Sequence, residues 1–230
     1  MRLPIQKLST AELGHTWRAA QLGLEGFSRA TAEAGSLIQS WVRGAPVLAM
    51  EHYPPSDVRD LAQGVQFFYH CHRAGGLEHG HVHLFAHATR TGRRRRSAAA
   101  GPGSDPSHLI AVGLDARGLP VSLFTVNRWV TGGYWLDTST TLAWLRRWTL
   151  PADLPAHSAS AQWLVGFLRM YLPVVERVLH QRDRWLTRQP DPGEAMNNQR
   201  VEVISSARID WAADLQRLDT QAQRKGLWTP

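Results

Sequence analysis

The sequence predicts an α+β fold: a central antiparallel β-sheet of about five strands, flanked by N-terminal and C-terminal helices. Three observations carry this. Between about residues 65 and 127, short stretches alternate apolar and polar side chains at period two and are joined by turn-rich segments. The residues before and after them carry apolar side chains at helical spacing, and strands do not alternate with helices as they would in a parallel sheet. The 230 residues read as a single domain, 1–230, long enough to bury a core without cross-links.

Taken in order, Ser9-Thr10-Ala11-Glu12 has the form of a helix-starting capping box. Leu13, Trp17, Leu22, Leu24, Phe27, Leu37, Ile38 and Trp41 continue an interrupted helical stripe over about 9–43, which can divide in two at Gly23 to Gly26. His52-Tyr53-Pro54-Pro55 then punctuates the chain, because paired prolines enter neither a helix interior nor a β-ladder. Strands are expected at about 65–72 and 79–84, then at 108–114 and 120–127 with a tight Asp115-Ala116-Arg117-Gly118 turn between them. Helices follow at 138–148 and 158–188, the second with a kink point at Pro173. The segment 200–209 alternates like a strand, and Asp210 caps a closing helix from 211 to about 224.

Five histidines fall in the segment from Tyr69 to His83: His70, His72, His79, His81 and His83. Side chains two apart on a strand share a face. A hairpin that pairs 70 with 81 also pairs 72 with 79 and 68 with 83, so all five imidazoles gather on one side of the ribbon. The other side then carries Phe67, Tyr69, Cys71, Val82 and Leu84, an apolar surface fit for burial. A slip of one residue would exchange the faces, so the histidines are expected to point away from the main core, into a cleft or solvent. Cys71 lies on the apolar side as a small buried residue.

Imidazole ligates Zn, Fe, Cu and Ni, and opposed or alternate positions on paired strands bring such rings within reach of one ion. The residues thus predict a divalent transition metal, Zn or Fe, held by three of His70, His72, His79 and His81, with His83 next. Glu78, Glu51 and Asp57 are the candidate carboxylate partners of ligating rings. His52, His87 and His108 lie near in sequence without a predicted orientation. A second polar group, Asn127, Arg128 and Trp129, stands at a strand end where a ligand could be clamped.

Bulk properties narrow the classes. One cysteine excludes an internal disulfide framework. The first residues lack the apolar run of a secretory signal, and the most hydrophobic stretch, 163–179, is interrupted by Arg169, Pro173, Glu176 and Arg177, so no membrane span is expected and the chain reads as soluble and cytoplasmic. The net charge of +7 is concentrated in Arg93 to Arg96, within an Arg/Gly/Ser/Pro-rich stretch at about 90–106 that reads as a flexible solvated loop. Using that run to bind nucleic acid or a protein partner is an alternative unsupported by any recognised nucleic-acid motif.

Two resemblances add to this. The succession HYPPSDV (52–58), QFFYHCHR (66–73), EHGHVHLF (78–85) and NRWVTG (127–132) resembles an uncharacterised proteobacterial domain-of-unknown-function family, which implies no activity. His79-Gly80-His81-Val82-His83-Leu84-Phe85 resembles the histidine string of the histidine-triad nucleotide hydrolases and transferases. That resemblance implies His81 as the nucleophile toward an α-phosphate, supported by His79 and His83. The substrate, and whether the protein is an enzyme at all, stay open.

Overall fold

The fold is described by a computed structural model covering residues 2–72, 78–87, 106–150 and 154–227. Residues 73–77, the arginine run 93–96 and nearly all of the loop expected at 90–106 lie outside the described residues. One antiparallel sheet holds six strands in chain order: β1 (Tyr53–Asp60), β2 (Val65–His70), β3 (Gly80–Ala86), β4 (Ser107–Leu114), β5 (Pro120–Val126) and β6 (Val203–Arg208). The helices are α1 (Thr10–Ala34), α2 (Gln39–Val42), α3 (Arg128–Thr131), α4 (Thr138–Arg147), α5 (Ser158–Met170), α6 (Leu172–Thr187), α7 (Pro192–Ala195) and α8 (Trp211–Arg224). Among the described residues no helix is long and apolar enough to cross a membrane.

β1 is a strand the sequence reading omitted. Its ladder explains how Pro54 and Pro55 are tolerated: pairing jumps from Tyr53 opposite Tyr69 to Val58 opposite Phe67, so residues 54–57 bulge out of register. β1 is also an edge, where a missing N–H can face away from the sheet. The expected hairpin turn between β4 and β5 is present, with Gly118 at φ 80° and the Asp115 carboxylate accepting from the amides of Arg117 and Leu119.

α1 starts at the predicted capping box, with Ser9 and Glu12 each accepting from the other's backbone N–H. It runs unbroken through Gly23 and Gly26, contrary to the expected division. Those glycines serve a close helix crossing instead. A β-carbon on Gly26 would collide with the backbone of Trp163 and Ala159, and one on Gly166 with the backbone of Gly23 and Ala19. The long helix expected at 158–188 is two, α5 and α6, broken at Tyr171, with Pro173 in the first turn of α6 where a missing N–H costs nothing. Asp210 caps α8 through the Ala213 amide, as predicted.

One face of the sheet contributes Phe67, Tyr69, Val82, Leu84, Ile110, Val112 and Leu123 to a core shared with Trp163, Phe167, Val174 and Val178 of α5 and α6. The opposite face carries Phe68, His70, His81, His83, Phe85 and Phe124. There Ala111, Phe124 and Val126 form a separate small apolar cluster with Val130.

Candidate metal centre

β2 and β3 pair in the register that the alternation predicts, with His70 opposite His81 and Phe68 opposite His83. The histidines face away from the main core, but they do not reach solvent: His70 and His81 are each 6 % exposed and His83 is 1 % exposed. Aromatic rings supply much of the enclosure. Phe68 meets His70 and His83 edge-on or tilted, and Phe124 meets His81 edge-on.

His70, His81 and His83 come together. Their ring centroids lie 4.5 to 5.0 Å apart, and one ring nitrogen from each lies within 4.8 Å of the others. His72, half-buried, sits beside them, 4.8 Å from His70 and 5.1 Å from His81 by ring centroid, with its Nδ1 3.8 Å from the Glu202 carboxylate.

His79 goes elsewhere. Its Nδ1 lies 2.6 Å from the Tyr69 hydroxyl, a side chain of the main core. The cause is local: β2 ends at His70, Cys71 leaves to bridge Ala49, and the His79 amide donates to Leu114 O. The predicted pair between 72 and 79 therefore does not form. Gly80 adds to this, since a β-carbon there would occupy the space of the Tyr69 hydroxyl.

Two histidines without a predicted orientation join the same face. His108 Nε2 lies 3.0 Å from His83 Nδ1. His52 stacks on Phe68 with a centroid separation of 3.6 Å, meets His70 edge-on at 6.0 Å, and is held by the Asp57 carboxylate at 3.0 Å. Asp57 also accepts from Gln66, whose Oε1 meets His87 Nε2 at 2.6 Å. Period-two reading missed His108 because its strand neighbour is distant in sequence.

Glu78 Oε1 lies 2.7 Å from His81 Nδ1, so Nδ1 carries a proton and the carboxylate accepts it. His81 Nε2 faces His70 Nε2 at 2.8 Å. His70 Nδ1 is buried and has no hydrogen-bond partner among the described residues, an uncommon condition that a bound ion or water ordinarily accounts for. Burial, with His81, His72 and His52 beside it, pushes the His70 pKa down to about 3. Burial and neighbouring imidazoles hold His83 well below the ordinary histidine range, and burial with Arg182 and His81 pushes His108 down to about 3. These three rings stay neutral at physiological pH, the form in which imidazole ligates.

The donor set fits a transition ion. Tetrahedral zinc with its usual Zn–N lengths separates ligand nitrogens by about 3.3 Å, so His70 and His81 need open by only about half an ångström. Glu78 stands where a carboxylate orients a ligating histidine, and Ser122 Oγ donates to its other oxygen at 3.0 Å. By contrast Glu51 is exposed, and the predicted clamp at the end of β5 is spent internally. Asn127 caps α3, accepting from the Arg128 amide and donating to Ala195 O. Arg128 donates to Asn197 and the Trp129 indole to Val201 O. Both ring nitrogens of His81, the nucleophile of the histidine-triad reading, are engaged by Glu78 and His70.

No curated protein and no solved structure matches the chain. A family profile does, over residues 17–209, a span holding every strand and every histidine of this face: the chain belongs to the family described as Domain of unknown function (DUF6969).

Proposed function

We propose that the protein binds a divalent transition metal, Zn or Fe, through His70, His81 and His83, with His72 as the adjacent fourth donor and Glu78 orienting His81. The observation that carries this reading is the convergence of three buried imidazoles with ring nitrogens within 4.8 Å of one another. The Nε2 atoms of His70 and His81 already face one another across 2.8 Å, an approach that an ion held between them would open only slightly. Nitrogen donors without a thiolate suit Zn, Fe, Cu and Ni better than Mg or Ca. With His70, His81 and His83 as ligands, the ion would supply Lewis acidity at the position beside His72 whenever that ring is not bound.

The chain's own residues perform the binding work. Glu78 accepts from Nδ1 of His81 and leaves Nε2 on the side of His70; His108 engages Nδ1 of His83 and leaves Nε2 of His83 as its ligating nitrogen; Phe68, Phe85 and Phe124 exclude water. Stripping the purified protein with chelator and titrating Zn(II) or Fe(II), with elemental analysis of the dialysed product, tests the proposal. Stoichiometric uptake lost in both His70→Ala and His81→Ala is expected. Wild-type protein that stays metal-free with every ion supplied overturns it.

A further inference from the structure

The two edges of the sheet are built differently. β1 is guarded by Pro54, Pro55 and a bulge, devices that stop another strand from adding. β6, with sequence Val203-Ile204-Ser205-Ser206-Ala207-Arg208, contains neither proline nor lysine; its own register shift is confined to its first residues, at Ile204, and Val203 is 46 % exposed.

Its backbone is available in part. The Ile209 amide bonds Val121 O, and Ala207 and Ser205 sit opposite Leu123 and Thr125. Antiparallel ladders alternate, so residues two apart bond the same neighbour and those between them turn outward. Ser206, between Ser205 and Ala207, thus directs its N–H and C=O away from β5, onto the open edge, while Ile204 is the extra residue where the register shifts between Ser205 and Val203.

Beside that edge lies a groove of about 520 Å³, lined by Ile204, Ser206 and a stripe of α6: Gln181, Arg184, Trp185 and Arg188. Positions 181, 184, 185 and 188 share one helix face. The ion pairs of α6 belong to His180 and Arg182; among the described residues neither Arg184 nor Arg188 has a carboxylate partner. The groove is therefore cationic along one wall and, along the other, bounded by an edge of β6 that is unpaired among the described residues.

We propose that this groove binds an extended acidic peptide as a seventh strand on β6, with carboxylates at alternate positions paired to Arg184 and Arg188. The spacing agrees: four helical residues rise about 6 Å, and alternate strand residues lie about 6.8 Å apart. Backbone bonds to Ser206 hold the strand, and the arginines select the charge. A second copy of the chain is the poorer occupant, since pairing β6 with itself would bring like-charged arginine walls to the same seam. The site does not depend on the metal centre.

Fluorescence anisotropy with a labelled peptide of alternating Val and Glu tests this on the full-length protein. Saturable binding is expected, together with loss of about tenfold in affinity in Arg184→Ala and again in Arg188→Ala, the scale of one charge-assisted hydrogen bond each. Ser206→Pro should abolish it, and a peptide N-methylated at alternate amides should bind far more weakly to the unaltered protein, which covers the case in which the proline variant fails to fold. Equal binding of the N-methylated peptide, or of one with Lys in place of Glu, overturns the proposal. So does no binding at all, or a dimer by sedimentation that Ser206→Pro dissociates.

Discussion

Glu78 and His81 form the tightest carboxylate–imidazole contact on the histidine face, 2.7 Å between Oε1 and Nδ1. Glu78 stands just before β3, and Gly113 on the neighbouring strand leaves the space its carboxylate fills. The contact fixes the orientation of the His81 ring, with Nε2 toward His70, and so connects a surface-proximal acid to the buried triad.

If Glu78 orients a ligand, Glu78→Ala should weaken metal affinity by about ten- to a hundredfold, the usual effect of losing such a partner. Glu78→Gln, whose amide oxygen can still accept from Nδ1–H, should fall between. Competition against a chromogenic chelator measures both, and an Ala variant with wild-type affinity would show that Glu78 plays no part.

Gly113→Ala acts on the same contact from the far side. Its new methyl would collide with the Glu78 carboxylate and the Ser122 hydroxyl, and the longer Glu78 side chain has more rotatable bonds with which to withdraw. Metal affinity should then fall with the Glu78→Ala value while the melting temperature changes little. A large drop in melting temperature with affinity preserved would instead mean that the strand itself distorts.

The histidine register was readable because the alternation of Phe67, Tyr69, Val82 and Leu84 against His70, His81 and His83 leaves one facing that buries hydrocarbon. His79 obeyed the same alternation and still turned to Tyr69, because pairing ends one step earlier and periodicity carries no information about where a ladder stops. His108 and His52 reach the face from strands and loops whose placement depends on tertiary packing. β1 was hidden by Pro54 and Pro55, whose rule holds for central strands and is relaxed at an edge. The burial of the triad was likewise illegible: polar residues on a strand face read as solvent-facing until the aromatic side chains around them are in place.

Gly23, Gly26 and Gly166 make a further case where local and tertiary terms oppose. Gly26→Ala should gain about 1 kcal/mol of helix propensity. It also forces a β-carbon into the backbone of α5, where the neighbour cannot rotate away, and overpacking of this kind costs about 1–3 kcal/mol. Net destabilisation in urea unfolding is therefore expected, with α1 still helical by circular dichroism. A stabilised Gly26→Ala would mean that α1 and α5 lie further apart than this crossing requires.

Acid should destabilise the metal-free fold through the same histidines. His70 and His108 have folded pKa values pushed down to about 3, against about 6.5 for histidine in an unfolded chain. Between those values the unfolded state binds a proton that the folded state refuses, so each group's contribution is complete above about pH 6.5 and declines as pH falls toward about 3. The slope has a ceiling of about 1.4 kcal/mol per pH unit for each such group. Urea midpoints in chelator should hence drop between about pH 7 and about pH 5, and the drop should be smaller in His70→Phe, which removes one titrating ring and keeps an apolar face toward Phe68. Identical slopes for the two proteins would mean that His70 is protonated in the fold, and a protonated His70 beside His81 could not share an ion with it.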